Sequence, residues 1–311
     1  MGAAPTSPRF VLGIETSCDE TAAAVVEDGL VVRSSVVSSQ VDLHARFGGV
    51  VPEIAGRAHL QVLPAVVADA VGEAGLEDEQ IDAVAVTVGP GLIGSLLVGV
   101  SAAKALALVW DVPLVGVNHL EAHLYASLLA DPDLEPPMLV LLVSGGHTML
   151  VVMEDHGRLR VLGSTLDDAA GEAFDKVARY LGLGYPGGPA IDRLAREGDR
   201  EAIAFPRAVA DRPTDFSFSD LKTAVVNHVR RHPEVDTADV VASFQEAVVD
   251  VLVDKTLAAA DAEGVGAVCL GGGVAANSRL RERFVAACEA DGRRWSIPGL
   301  DLCTDNAAMV A

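Results

Sequence analysis

Two histidines four residues apart, His119 and His123, are the side chains in this sequence best suited to hold a metal ion. On a helix that spacing puts both on one face, with Cβ atoms about 5–6 Å apart. A carboxylate from elsewhere would complete a two-histidine, one-carboxylate face with open positions, a pattern that binds divalent ions. Asp305, in the CTDN turn near the end of the chain, is the candidate. Zinc-protease chemistry of the HExxH kind is disfavoured, because it places a glutamate directly after the first histidine and Leu120 stands there. Taken alone, the pair has a plainer account as two hydrogen-bonded histidines beside a strand end.

A second chemistry is anion binding. The turn Ser144-Gly145-Gly146 follows an apolar run, and Gly271-Gly272-Gly273 follows another. Glycine-rich turns after strands can aim several N–H groups at one phosphate or carboxylate oxygen. Each turn alone is explained by tight packing, but their recurrence favours nucleotide binding. Asp175 and Asp192 flank the Gly187-Gly188 loop, where each could accept hydrogen bonds from ribose or substrate hydroxyls. Asn277 could read a nucleotide edge, or simply cap the helix that starts near Ser278. GPGLIGSL, over 89–96, looks like a phosphate loop but lacks the GK[ST] ending, which excludes a P-loop NTPase.

These residues need elements to carry them. The stretch 138–157 reads as a strand over 139–143, the Ser144 turn, and a second strand over 148–153. The same plan occupies 10–29, and Glu27-Asp28 recurs as Glu154-Asp155, 127 positions later. A repeat that long predicts a duplicated domain rather than a solenoid. It divides the chain into an N-terminal lobe over 8–134 and a C-terminal lobe over 135–311, each opening on a β-hairpin, with a nucleotide-sized cleft between them. Asn118 is a good cap for a helix carrying the histidines, and Ser219 for the helix of FSFSDLKTA. Helices are also expected from Pro52 and over about 243–262. The chain stops inside a polar motif, so a continuation beyond Ala311 is expected.

Composition narrows the class. Four scattered cysteines without CxxC spacing argue for a reducing cytosol and against a zinc-finger or disulfide framework. The run 95–117 contains Lys104 and Asp111, and so reads as a buried helix and strand, not a membrane span. Gly2 and Thr6 fit only a loose myristoylation pattern. The net charge of −21 repels nucleic acid.

In order along the chain stand GIETSCDET, HARFGGVVPEIAGRAH, GPGLIGSL, NHLEAH, LLVSGGHT, DDAAGEAFDK, GYPGGP, FSFSDLKTA, GGGVAANSRLR and CTDNAAMVA. Together these motifs resemble the TsaD family, the tRNA adenosine threonylcarbamoyltransferases once described as O-sialoglycoprotein endopeptidases. The resemblance runs from about Phe10 to the end of the chain. Two departures, Asp220 for glycine and Ala122 within NHLEAH, both suit a helical backbone.

The resemblance implies an α/β, two-lobed actin-like, Hsp70-like ATPase (ASKHA) fold. It implies metal ligation by His119, His123 and Asp305, with one divalent ion per chain, Fe(II) first and Zn(II) second. It assigns Leu142, Val143, Ser144, Gly145 and Gly146 to the loop around threonylcarbamoyl-AMP, and Asp175, Gly188, Asp192 and Asn277 to the rest of the adenylate site. Asp19 and Glu20 match a segment that faces the reaction. The implied reaction moves a threonylcarbamoyl group from its AMP anhydride to an adenosine beside the anticodon of a tRNA. The implied partners are a TsaB-like paralogue and a TsaE-like small ATPase, in the cytoplasm. A kinase or ATPase of the same fold and a non-catalytic scaffold subunit are the rival readings.

Overall fold

In a computed structural model describing residues 8–207 and 212–311, the chain divides into two compact units. Met1–Pro132 and Thr304–Ala311 make one, and Asp133–Cys303 the other. Gly2 and Thr6 lie outside the described residues. The final eight residues, expected with the second lobe, belong to the first unit. Gly13 makes room for them, since a Cβ there would collide with the Ala307 carbonyl oxygen.

The first unit opens with β1 (Phe10–Glu15), β2 (Glu20–Glu27) and β3 (Val31–Ser39). The short α1 (Val41–Ala45) and long α2 (Pro52–Glu73) lead to β4 (Ala83–Gly89), α3 (Ile93–Trp110), β5 (Leu114–Asn118) and α4 (His119–Ala130). The second unit repeats the plan with β6 (Met138–Val143), β7 (Thr148–Asp155) and β8 (Arg158–Ser164). Its helices α5 (Ala170–Tyr180), α6 (Gly187–Leu194), α7 (Ser219–Arg231) and α8 (Thr237–Glu263) follow. It closes with β9 (Ala267–Gly271), α9 (Ser278–Ala290), β10 (Arg294–Ser296) and α10 (Leu300–Cys303).

The sheet orders are β3-β2-β1-β4-β5 and β8-β7-β6-β9-β10, the same topology twice. In each, an antiparallel meander is extended by two parallel strands on the far side of its first strand. The duplication is therefore of whole sheets, and each hairpin has a third strand. The central strands are buried on both faces, which is why MLVLLV reads as an unbroken apolar run. One core packs Leu12, Ile14, Val84 and Val86 against Leu63 and Ala103. The other packs Leu139 and Leu141 among Phe174, Phe244 and Phe284.

Three local readings change. The run over 95–117 is mostly not buried: α3 turns only Ser95, Gly99, Ala103 and Ala107 inward, while Ile93, Leu97 and Leu108 are 78%, 61% and 82% exposed, and Leu114 and Val115 of β5 are exposed as well. Length and composition alone would let α3 cross a membrane; here it packs on α2 and β4. Ser219 is not the cap of α7. Asp167 takes that role, accepting from the backbone N–H of Phe218 at 2.9 Å and of Ser219 at 3.3 Å. Helix α8 starts six residues earlier than its apolar spacing predicts, because Asp236 caps it through the Ala238 N–H.

Candidate functional site

β5 ends at Asn118, whose side-chain oxygen accepts from the N–H groups of Leu120 and Glu121. That cap starts α4 at once, so His119 and His123 occupy the first two turns of one face while Glu121 points to solvent. The rings meet edge to face with centroids 4.8 Å apart. Asp305 arrives in the same unit on Thr304–Ala311. Its Oδ1 lies 3.1 Å from His123 Nε2 and 3.6 Å from His119 Nε2. One ligand atom from each of the three residues lies within 4.8 Å of the other two. All three therefore sit in one compact unit, not split between two.

The surroundings suit a cation. His119 Nδ1 faces the fully buried carboxylate of Glu15 at 3.0 Å and the Ser17 hydroxyl at 3.2 Å, which leaves Nε2 turned toward Asp305. Burial lowers the His119 pKa, but the Glu15 hydrogen bond and the Asp305 charge outweigh it and raise it to about 8. His123 is 1% exposed, and its Nδ1 has no partner among the described residues. Two imidazoles and a carboxylate, with one imidazole backed by a second carboxylate, are a donor set that fits Fe(II) or Zn(II).

The acidic turn lies in this unit too. His59 Nε2 lies 3.0 Å from the Cys18 carbonyl oxygen and its Nδ1 2.7 Å from the Thr21 hydroxyl, so the turn is held at both ends. Burial, followed by the charges of Asp19 and Asp305, pushes the Glu20 carboxyl well above the usual carboxylate range. Burial and then Asp19 push the Cys18 thiol far above its ordinary range, which removes it as a nucleophile. Gly91 of the glycine motif packs against Ser17, and Gly99 of α3 against Thr16, so both glycines allow close approach to the turn after β1.

In the second unit, Leu142 and Val143 are still in the β6 ladder with buried side chains, so the loop proper begins at Ser144. The Ser144 N–H donates to the His147 carbonyl at 2.7 Å, and its hydroxyl accepts from the His147 N–H. Gly145 and Gly146 are exposed and lie outside the left-handed region. Neither N–H has a partner among the described residues. A Cβ at either position would meet nothing within 4 Å. Neither φ nor packing inside the chain requires glycine there, so their spare donors and open space suit a ligand.

By contrast, Gly272 has φ +86° and abuts the Val143 carbonyl. Asp175, raised by burial against the opposing hydrogen bond from Gly187, accepts that N–H at 2.7 Å. Asp192 accepts from the N–H and hydroxyl of Ser278, and Asn277 caps α9 through the Leu280 N–H. The structure thus brings Asp192 to Asn277–Ser278 and Asp175 to the Gly187-Gly188 loop. Sequence spacing missed Glu15, Thr87 and Asp167, each a polar residue closing or flanking an apolar strand or helix.

The doubled five-stranded sheet with this strand order defines the actin-like, Hsp70-like ATPase fold class. Solved structures agree. HypF from T. kodakarensis superposes with a TM-score of 0.67 at 15% identity, covering 97% of this chain and 46% of that one. The (R)-2-hydroxyglutaryl-CoA dehydratase component A of Acidaminococcus fermentans gives 0.57 at 15% identity, covering 97% and 96%. These likenesses concern the fold alone. In sequence, a Symbiobacterium thermophilum protein named tRNA N6-adenosine threonylcarbamoyltransferase is 59% identical over 308 residues, 98% of this chain and 90% of its own length. The TsaD family, described as tRNA N6-adenosine threonylcarbamoyltransferase, matches residues 31–311. The chain belongs to the TsaD family.

Proposed function

We propose that this chain transfers the threonylcarbamoyl group of threonylcarbamoyl-AMP to the exocyclic amine of adenosine 37 in tRNAs reading codons that begin with A, releasing AMP. The donor is a mixed carbonic–phosphoric anhydride and is already activated, so no covalent enzyme intermediate is required. The amine nitrogen bonds to the carbonyl carbon, the bond from that carbon to the phosphate oxygen breaks, and the amine loses a proton. Asp19 and Glu20 are the carboxylates we assign to that end of the reaction.

The N–H groups of Gly145 and Gly146 would take the phosphate oxygens, in the manner of an oxyanion hole. Asp175, Gly188, Asp192 and Asn277 would hold the ribose and base of the adenylate. His119, His123 and Asp305 would hold one divalent ion, Fe(II) before Zn(II). When bound, that ion supplies Lewis-acid polarisation of the threonylcarbamoyl group.

The observation that carries this reading is the convergence of the His119, His123 and Asp305 ligand atoms within 4.8 Å. A scaffold subunit or a simple ATPase has no use for it. The apolar groove along Leu60, Leu63, Val67, Leu97 and Trp110 supports a protein partner on the α2–α3 face, for which we propose a TsaB-like paralogue, with a TsaE-like ATPase and tRNA completing the cytoplasmic assembly. The test is a single turnover of purified chain, partners, tRNA and threonylcarbamoyl-AMP without ATP, read by nucleoside mass spectrometry. Modified adenosine is the expected product. Strict ATP dependence of that turnover would transfer the assignment to a kinase-like reaction.

A further inference from the structure

We infer that Glu15 is the positioning carboxylate of the metal centre: it holds the Nδ1 edge of His119 and so directs Nε2 toward His123 and Asp305. The inference rests on the reading of those three residues as metal ligands. Glu15 is the last residue of β1, and its side chain is fully buried. Both carboxylate oxygens are engaged. Oε1 accepts from the Ser17 N–H, and Oε2 accepts from the Thr87 hydroxyl at 2.6 Å while lying 3.0 Å from His119 Nδ1.

No lysine or arginine is among these partners. A buried carboxylate left without a cation is costly. The cation available to it is the imidazole edge and whatever charge the imidazole's other nitrogen binds. An ionised carboxylate can only accept. The Nδ1 of His119 must therefore carry a hydrogen, and Nε2, 3.6 Å from Asp305 Oδ1, is the nitrogen at which a metal ion would take the place of a proton.

Thr87 and the Ser17 N–H hold the carboxylate at its two oxygens. β1 and β4 are paired in parallel, which brings Glu15 and Thr87 to the same end of the sheet. Carboxylate–histidine–metal arrangements of this kind set both the tautomer and the basicity of the ligand, and losing the outer partner typically costs about 10- to 100-fold in metal affinity. Glutamine at position 15 keeps the size but loses the charge. It can also present an N–H to Nδ1, which favours the tautomer that cannot ligate through Nε2.

The experiment titrates Zn(II) into the chain against a chelator of known affinity, for wild type and Glu15→Gln, with thermal melts alongside. One tightly bound ion in wild type and an affinity about 10- to 100-fold weaker in a folded Glu15→Gln protein are expected. Equal affinities in two folded proteins would overturn the role of Glu15 while leaving the metal centre standing. Absence of binding in wild type would overturn the metal reading, and this inference with it. Should Glu15→Gln not fold, nitrogen NMR of histidine-labelled, Zn(II)-loaded wild type decides. A protonated Nδ1 and a metal-bound Nε2 on His119 are expected; metal at Nδ1 refutes the proposal.

Discussion

Gly171, in the first turn of α5, faces the backbone of the Ser144 turn. A Cβ on it would lie 2.6 Å from the Ser144 carbonyl oxygen and 2.8 Å from the Gly145 Cα, where ordinary contact begins at 3.4 Å. In Gly171→Ala the turn must therefore retreat by about 0.8 Å, since neither neighbour is a flexible side-chain end. Alanine favours a helix over glycine by roughly 0.5–1 kcal/mol, while overpacking costs about 1–3 kcal/mol. Net destabilisation of about 1–2 kcal/mol is expected, too little to unfold a domain of this size.

The larger effect should be on chemistry, because a displacement of about 1 Å can cost roughly 100-fold in rate. Gly146→Ala is the complementary change: a Cβ there meets nothing within the chain, so the melting temperature should hold while the methyl group occupies space meant for the ligand. Calorimetric AMP affinity and single-turnover transfer, each with a thermal melt, measure both variants. Both should transfer at least about 10-fold more slowly. Wild-type affinity and rate in both proteins would refute the assignment of the turn as the phosphate cradle.

His119→Ala combined with His123→Ala should remove the bound ion and abolish transfer with the fold intact; metal analysis showing wild-type content would mean the ligands are misassigned. Asp167→Ala should destabilise the second unit by about 0.5–2 kcal/mol through loss of the α7 cap, and a denaturant melt with an unchanged midpoint would refute the capping role. Leu97→Glu, on the exposed face of α3, should weaken paralogue binding at least about 10-fold if that face is a buried contact, as read by calorimetry. The chain alone, at net charge −21, should bind tRNA weakly and gain affinity when partners are added. In filter binding, tight association by the chain alone that falls steeply with salt would instead reveal a strong basic surface.

The sequence by itself determined much of the chemistry and the repeat. An i, i+4 histidine pair needs only a helix to become a face, and Asn118 supplies the local capping that starts one. Apolar runs closed by glycines define strands and turns without reference to anything distant, and the recurrence of that pattern at 127 positions predicts two sheets. Local rules failed where the partner is remote. The polar strands β3 and β8 were not expected because VVRSSVVSS and RLRVLGS lack a clear apolar alternation; they are strands because a meander edge offers them hydrogen bonds. Asp167 displaced Ser219 as a cap because it reaches the helix across about 50 residues of chain. Asp305 was readable as a carboxylate, but its packing with the first unit followed from the room left at Gly13, which spacing cannot express. In the sequence Glu15 is only the first residue of a polar turn. Only the parallel pairing of β1 with β4 and the start of α4 brought its carboxylate to Thr87 and His119, because burying a charge requires donors that only the assembled sheet provides.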